Sequence, residues 1–373
     1  MTPYPPMRDG IATYAAQAVR QLRAEGHDVE VLSPGPSAAH YHLDLVGPRG
    51  ALALGKRVPR YDKVIVQFHP DFFYPLPSSV RDRIEVSLAL AASFRLAREV
   101  EVVVHEIDYR HGRLRSPDGY AARALWHSVD RILVHTEGER RDFITAFGVS
   151  STRVLLATHG ARFSRNTQHD HETARASLGV PADALMFLTI GFIQESKGFD
   201  RAILAFAGLG ARGARLDVVG RSRLAEDGSG YENHVDVLAA ATDGVHRHKG
   251  FVSDELFDRW IVASDVVVLP YRNVWSSGVL ERASLYDKEV IATRIGGLAE
   301  QAADRPGMTF VRDDAGLRRA MWERVMGARK GLTLEPWPAE GDRLRADLQR
   351  QIRRRAAAAR GSRAASAAPV GAA

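Results

Sequence analysis

The 373-residue chain sets 51 Lys and Arg against 45 Asp and Glu, a net charge of +6, and 45% of its residues are hydrophobic. It holds no Cys, which excludes a disulfide framework and thiolate chemistry. No apolar run reaches the ~18 residues of a membrane span, so the composition is that of a soluble globular protein of two domains or one large one. The positive balance permits an anionic partner. It is dispersed and heaviest in the tail, however, and lacks the interleaving of basic and aromatic residues on one face that a nucleic-acid surface needs.

The chain begins "MTPYPPMRDG", without the apolar core of a signal peptide, and a cytoplasmic protein is expected. Gly10 opens a helical pattern over 11–25; its N–H groups could approach a phosphate or simply start a helix. Apolar, β-branched runs follow at 28–32, 63–67, 101–105, 131–134 and 153–157, with helical patterns at 78–98, 118–128 and 137–146 between them. In 67–74, "QFHPDFFY", aromatics at a strand end could rim a sugar site or pack on one another. In 135–143, "HTEGERRDF", Thr136 and Glu139 have capping-box spacing. The polar, His-rich stretch 159–181 marks a domain boundary. Beyond it the alternation repeats, with strands at 185–190, 215–219, 265–269, 289–293 and 308–311 and helices at 199–209, 254–262 and 278–286. Near-continuous apolar strands separated by helices predict parallel sheets covered on both faces. A helix near 339–355 and a disordered tail over 356–373 complete the expectation, so the domains read as 1–165 and 166–335. The basic "RRR" of 353–355 could touch anionic lipid but reads rather as solvated tail; "HDH" (169–171) and "HRHKG" (246–250) place two histidines at strand spacing, a weak zinc signature.

Two stretches carry chemistry. In "LMFLTIGFIQESKGFD" a strand ends at Gly191, and Lys197-Gly198 opens the next helix. The spacing is not that of a Walker loop, nor of a dinucleotide fingerprint. A strand, a loop carrying a cation and a helix still make an anion site at the carboxyl end of a strand. In 263–300 a strand stops at Pro270, and Ser277 caps a helix opened by Gly278, where free N–H groups can hold a diphosphate. Glu281, one turn in, is placed to accept from ribose hydroxyls.

These segments, with "LDVVG", "KGFVSDELFDRWIVASDVVVLPYR", "SSGVLERASLYDKEVIAT", "GGLAE", the N-terminal "GIATYAAQAVRQLRAEGHDVEVLSP" and "VVVHEIDY", occur in an order that resembles retaining glycosyltransferases of family 4 over about residues 1–350. The resemblance implies a GT-B fold, two Rossmann-like domains facing a central cleft with the C-terminal helix crossing back. It implies that Lys197 neutralises a donor diphosphate, that Gly191 begins its loop, and that Phe251 and Val252 contact the base. Backbone at Gly278, Val279 and Leu280 would hold phosphates, Gly10 would lie beside the diphosphate, and His105 would touch the sugar near its anomeric carbon. The expected activity is transfer of a sugar from a nucleoside diphosphate to a saccharide or lipid-linked acceptor with retention. No metal or cofactor is needed, and membrane contact would be peripheral, at the inner face.

The sequence departs from the family pattern at three places. Phe192 stands where the family has Arg. Its two glutamates, eight apart, would fall on Val274 and Arg282, with Glu281 one residue early. These departures fit a non-catalytic nucleotide-sugar-binding relative as the alternative; a sugar-nucleotide epimerase of the same fold fits the motif order less well. Finally, "TPYPP" follows Met1 directly where family chains begin with a central strand. The expectation is a first domain with unpaired edges on strands 28–32 and 101–105, and an upstream in-frame start encoding the missing strand.

Overall fold

The computed structural model describes residues 1–7, 10–157, 163–209, 213–222, 230–274, 276–303 and 305–328. The expected helix at 339–355 and the tail lie outside them. The chain separates into two compact units. The first holds Met1–Ser164 with Val274–Arg282 and Gly296–Asp304; the second holds Arg165–Asn273, Ala283–Ile295 and Arg305–Ala373.

In the first unit β1 (Leu32–Ser33) pairs with β2 (Tyr41–His42). Strands β3 (Val64–Phe68), β4 (Val100–Val104), β5 (Arg131–Val134) and β6 (Val154–Leu156) form a parallel sheet in that order. Val66, Val102, Ile132 and Val154 of these strands are buried with Val86, Leu90 and Phe94 of helix Val80–Phe94 and Leu125 and Trp126 of helix Pro117–His127. The capping box of Thr136 and Glu139 opens helix Glu137–Phe147, as its spacing predicts.

The edges of this sheet differ from the expectation. β4 lies between β3 and β5, so 101–105 has partners on both sides. The residues that reach from β3 to β1 are the first two of the chain. The Met1 amino group donates to Ile65 O at 2.6 Å, Gln67 N donates to Met1 O at 2.9 Å, and Thr2 N donates to Leu32 O at 3.0 Å. Two residues thus supply main-chain partners to both flanks, which is the demand that buried backbone makes.

In the second unit β7 (Leu185–Ile190), β8 (Ala214–Gly220), β9 (Val245–Lys249), β10 (Val266–Leu269), β11 (Glu289–Thr293) and β12 (Met308–Val311) form one parallel sheet ordered β12-β11-β10-β7-β8-β9. The chain therefore runs outward from β7 in one direction, returns to β10, and runs outward in the other. This is the doubly wound order, and β7 and β10 are the strands between which it reverses. Phe187, Val218, Val266 and Ile291 are buried with Ile203, Phe206, Leu317 and Met321 of the covering helices. The two-unit, parallel-sheet α/β architecture is the one that the motif order implied.

Candidate functional site

Ligands of doubly wound sheets bind outside the carboxyl ends of the strands at the reversal point. In the second unit two loops leave that point. After β7, Gly191 adopts φ +133°, which a side chain disfavours, and its N–H donates to Val219 O at 3.1 Å. The chain makes a 3-10 turn over Glu195–Lys197, turns left-handed at Gly198 and enters helix Phe199–Ala207. The loop after β10, 270–273, is bound to it. Arg272 N donates to Ser196 O at 2.7 Å, and Arg201 Nη1 donates to Pro270 O at 2.7 Å and Tyr271 O at 2.9 Å.

Side chains complete the lock. Arg272 grips the Asp200 carboxylate through two bonds, 2.8 and 2.6 Å, and donates to Glu195 O at 2.9 Å. Burial alone would raise the Asp200 carboxyl; Arg272 and the Tyr231 hydroxyl outweigh it and hold the group below the ordinary carboxylate range. Lys197 Nζ lies 4.3 Å from the centroid of the Tyr271 ring, a cation–π contact with a buried aromatic. A cation is thus held at the reversal point. Phe251 is exposed, beyond a left-handed Gly250 at the exit of β9, and Val252 is half-buried beside it.

The first unit brings together residues far apart in the chain. His105, at the exit of β4, donates its N–H to Phe68 O, and its Nε2 lies 2.7 Å from Gln67 Oε1. Tyr14, one turn beyond Gly10 in helix Gly10–Ala24, meets the His105 ring edge-on at 5.2 Å and the Phe163 ring at 5.9 Å. The Arg282 guanidinium lies 5.6 Å over the Phe163 ring. His135 packs 5.8 Å from His105, with Nδ1 at 2.9 Å from Ala157 O; burial holds its pKa below the usual range. Helix Gly278–Leu285 opens in this cluster. The Ser277 hydroxyl accepts from Leu280 N at 3.3 Å, the bond that a cap should make. Gln301 Oε1 accepts from Ser277 N at 2.9 Å, and Gln301 Nε2 donates to Ser277 O and to the Glu281 carboxylate. Gly278 and Val279 are half-buried, while Leu280 is a core residue that offers a ligand only backbone. Glu281 and Arg282 are both buried, and the one-residue slip sends them to different partners, Gln301 and Phe163.

Of the aromatics in 67–74, Phe73 stacks on Phe68 in the core, while His69 stays at the strand end, 3.2 Å from Glu106. His248, of "HRHKG", lies 2.7 Å from the buried Asp217. Sequence reasoning missed Tyr14, Gln67, Asp200, Tyr271, Arg272 and Gln301. The available signal for two of them was "PYR" at the exit of β10, a basic and an aromatic residue at the same sheet edge as Lys197.

Residues 8–162 match the family described as Glycosyltransferase Family 4, and residues 184–323 match Glycosyl transferases group 1. The fold is the GT-B fold of glycosyltransferases. The chain is 31% identical over 195 residues to D-inositol 3-phosphate glycosyltransferase 2 of Catenulispora acidiphila, covering 49% of this chain and 44% of that protein. It is 30% identical over 194 residues to the D-inositol 3-phosphate glycosyltransferase of a Nocardioides species, covering 48% and 41%. The matched stretch thus spans less than half the length of these curated relatives. Its fold is similar to that of HepE from Anabaena, solved in complex with UDP-glucose, with TM-score 0.59 and 16% identity over 92% of this chain and 88% of that one. It is similar also to sucrose-phosphate synthase of Thermosynechococcus elongatus, with TM-score 0.62 and 16% identity over 96% and 94% of the two chains. WaaG, a glycosyltransferase involved in lipopolysaccharide biosynthesis, gives TM-score 0.58 and 17% identity over 94% of each chain.

Proposed function

We propose that the protein moves a sugar from a nucleoside-diphosphate sugar to a hydroxyl of a saccharide or lipid-linked acceptor, with retention of configuration. The observation that supports this best is the cation of Lys197, held at the reversal point of the second unit's sheet, where an anionic ligand of a doubly wound fold is expected. In this reading Lys197 balances the charge that builds on the departing diphosphate, so the reaction needs no metal. The N–H groups at Gly278, Val279 and Leu280 add to the phosphate contact, with Gly191 and Gly10 admitting close backbone approach. Phe251 and Val252 meet the base, Glu281 the ribose, and His105 the sugar near its anomeric carbon. No carboxylate is assigned as nucleophile; the acceptor attacks the face from which the diphosphate leaves. No helix among the described residues is long and apolar enough to cross a membrane. The proposed setting is the cytoplasm, with contact to the inner face of the membrane if the acceptor is lipid-linked.

A second reading, a nucleotide-sugar-binding protein without transferase activity, is favoured by Arg282, which stands buried where the family glutamate is expected. Thermal shifts against UDP-, GDP- and ADP-sugars, followed by product analysis with sugar acceptors and a polyol phosphate, test both. A donor at a hundred times its Kd should stabilise by about 2.7 kcal/mol. Stabilisation without product would select the second reading; no stabilisation by any donor would sink both.

A further inference from the structure

The donor reading leaves open how Lys197 is kept available to a diphosphate in a loop that also carries Glu195 and Asp200. We propose that Tyr271 and Arg272 are positioning residues for Lys197: Tyr271 orients its ammonium, and Arg272 keeps the Asp200 carboxylate from neutralising it. This inference rests on the donor reading and deepens it.

A lysine stem has many rotamers, and ordering it on ligand binding costs affinity unless it is held beforehand. The Tyr271 ring is buried, and Lys197 Nζ lies 4.3 Å above its centre. Ring and lysine are fixed in one frame, because the neighbouring backbone is shared: Arg272 N donates to Ser196 O at 2.7 Å and Asn273 N to the same oxygen at 3.2 Å. An aromatic face is also a weaker partner than a carboxylate, so a diphosphate takes over the ammonium without breaking an ion pair.

The competing partner is nearby in sequence. Asp200 lies three residues beyond Lys197 and is the acidic residue in the first turn of its helix. Both its oxygens are occupied by Arg272, and Oδ1 also accepts from the Tyr231 hydroxyl. No carboxylate among the described residues pairs with Lys197. The charge of the lysine is therefore offered to a ligand, while that of the aspartate is spent on Arg272.

Isothermal titration of the full chain with UDP, ADP and GDP, each against its own nucleoside, tests this. Tyr271→Leu and Arg272→Gln should each weaken binding of the preferred diphosphate about tenfold and leave the nucleoside unchanged. Tyr271→Phe, which keeps the ring, should bind like the parent. Arg272→Gln with Asp200→Asn should recover the affinity lost in Arg272→Gln alone, a rescue that a merely structural role would not give. The inference is overturned if the nucleoside weakens equally, if the double variant is no better than Arg272→Gln, or if neither single variant weakens the diphosphate while Lys197→Ala does. If Lys197→Ala itself binds diphosphate like the parent, the donor reading fails instead. Should Tyr271→Leu not fold, Arg272→Gln, whose side chain is 37% exposed, and its double variant decide alone.

Discussion

Gly198 and Gly179 form a matched pair for measuring how tightly the lysine loop is pressed against its neighbour. Their backbones are nearly identical, φ 66° and ψ 31° at Gly198, φ 67° and ψ 30° at Gly179. Alanine at either position bears the left-handed penalty of about 1–2 kcal/mol. They differ in surroundings. A Cβ at 179 would meet nothing within 4 Å, whereas one at 198 would sit 2.1 Å from Pro270 O. Ordinary contact is ~3.5 Å, so the loops must part by more than ~1 Å. They are tied by the bonds of Arg272 N to Ser196 O and of Arg201 to Pro270 O, so the parting is resisted. Overpacking of this kind costs about 1–3 kcal/mol. Gly179→Ala should then cost about 1–2 kcal/mol in urea unfolding and Gly198→Ala about 2–5. Only Gly198→Ala should weaken diphosphate binding, because only it displaces Lys197 from the reversal point. Equal destabilisation by the two, or an equal loss of diphosphate affinity, would refute the account.

Lys197→Ala should weaken diphosphate binding by about ten- to a hundredfold, for a charge-assisted contact of about 1.5–3 kcal/mol, without unfolding the protein. Glu281→Gln should weaken binding of the nucleoside portion while Arg282→Ala should not; the reverse, read by titration with nucleosides, would mean that the arginine has taken over the ribose. Burial pushes the Glu139 carboxyl from 4.5 to about 7 against the pull of the His135 and Thr136 N–H groups, so the folded state holds a proton that the unfolded state releases. Stability should therefore fall as pH rises from about 4.5 to 7, by about 3 kcal/mol at 1.36 kcal/mol per pH unit, and Glu139→Gln should flatten that part of a urea-midpoint profile. Asp217, fully buried between Arg215 and His248, should cost about 3–5 kcal/mol as Asp217→Asn in the same assay, since Arg215 would be left without its charge partner.

Much of the architecture is a one-dimensional property of this chain. Strands such as 185–190 and 289–293 are short, mostly apolar runs that can be buried on both faces, and the sequence alone places them to the residue. The lysine loop was visible for the same local reason: a strand exit, a cation, a glycine and a helix follow one another without interruption. β9 was not visible, because "VHRHK" sits at the sheet edge and spends its polar side chains on Asp217, Glu232 and Asp236, so it has no apolar run to show. Nor was the pairing around β1 and β3. Which segment supplies main-chain partners there depends on where Met1 and Thr2 lie in space. The partners of the candidate site belong to this second kind. Tyr271 and Arg272 follow Lys197 by more than seventy residues, and the spacing from Tyr14 to His105 to Arg282 is longer still. Lys197, Tyr271 and Arg272 meet because parallel strands β7 and β10 pair directly, and because the chain returns to the middle of the sheet before β10. Local sequence decides which segments become strands and which loops carry charge; only the order in which the strands pair decides which loops share a strand end, and with it which aromatic ring and which arginine the lysine finds beside it.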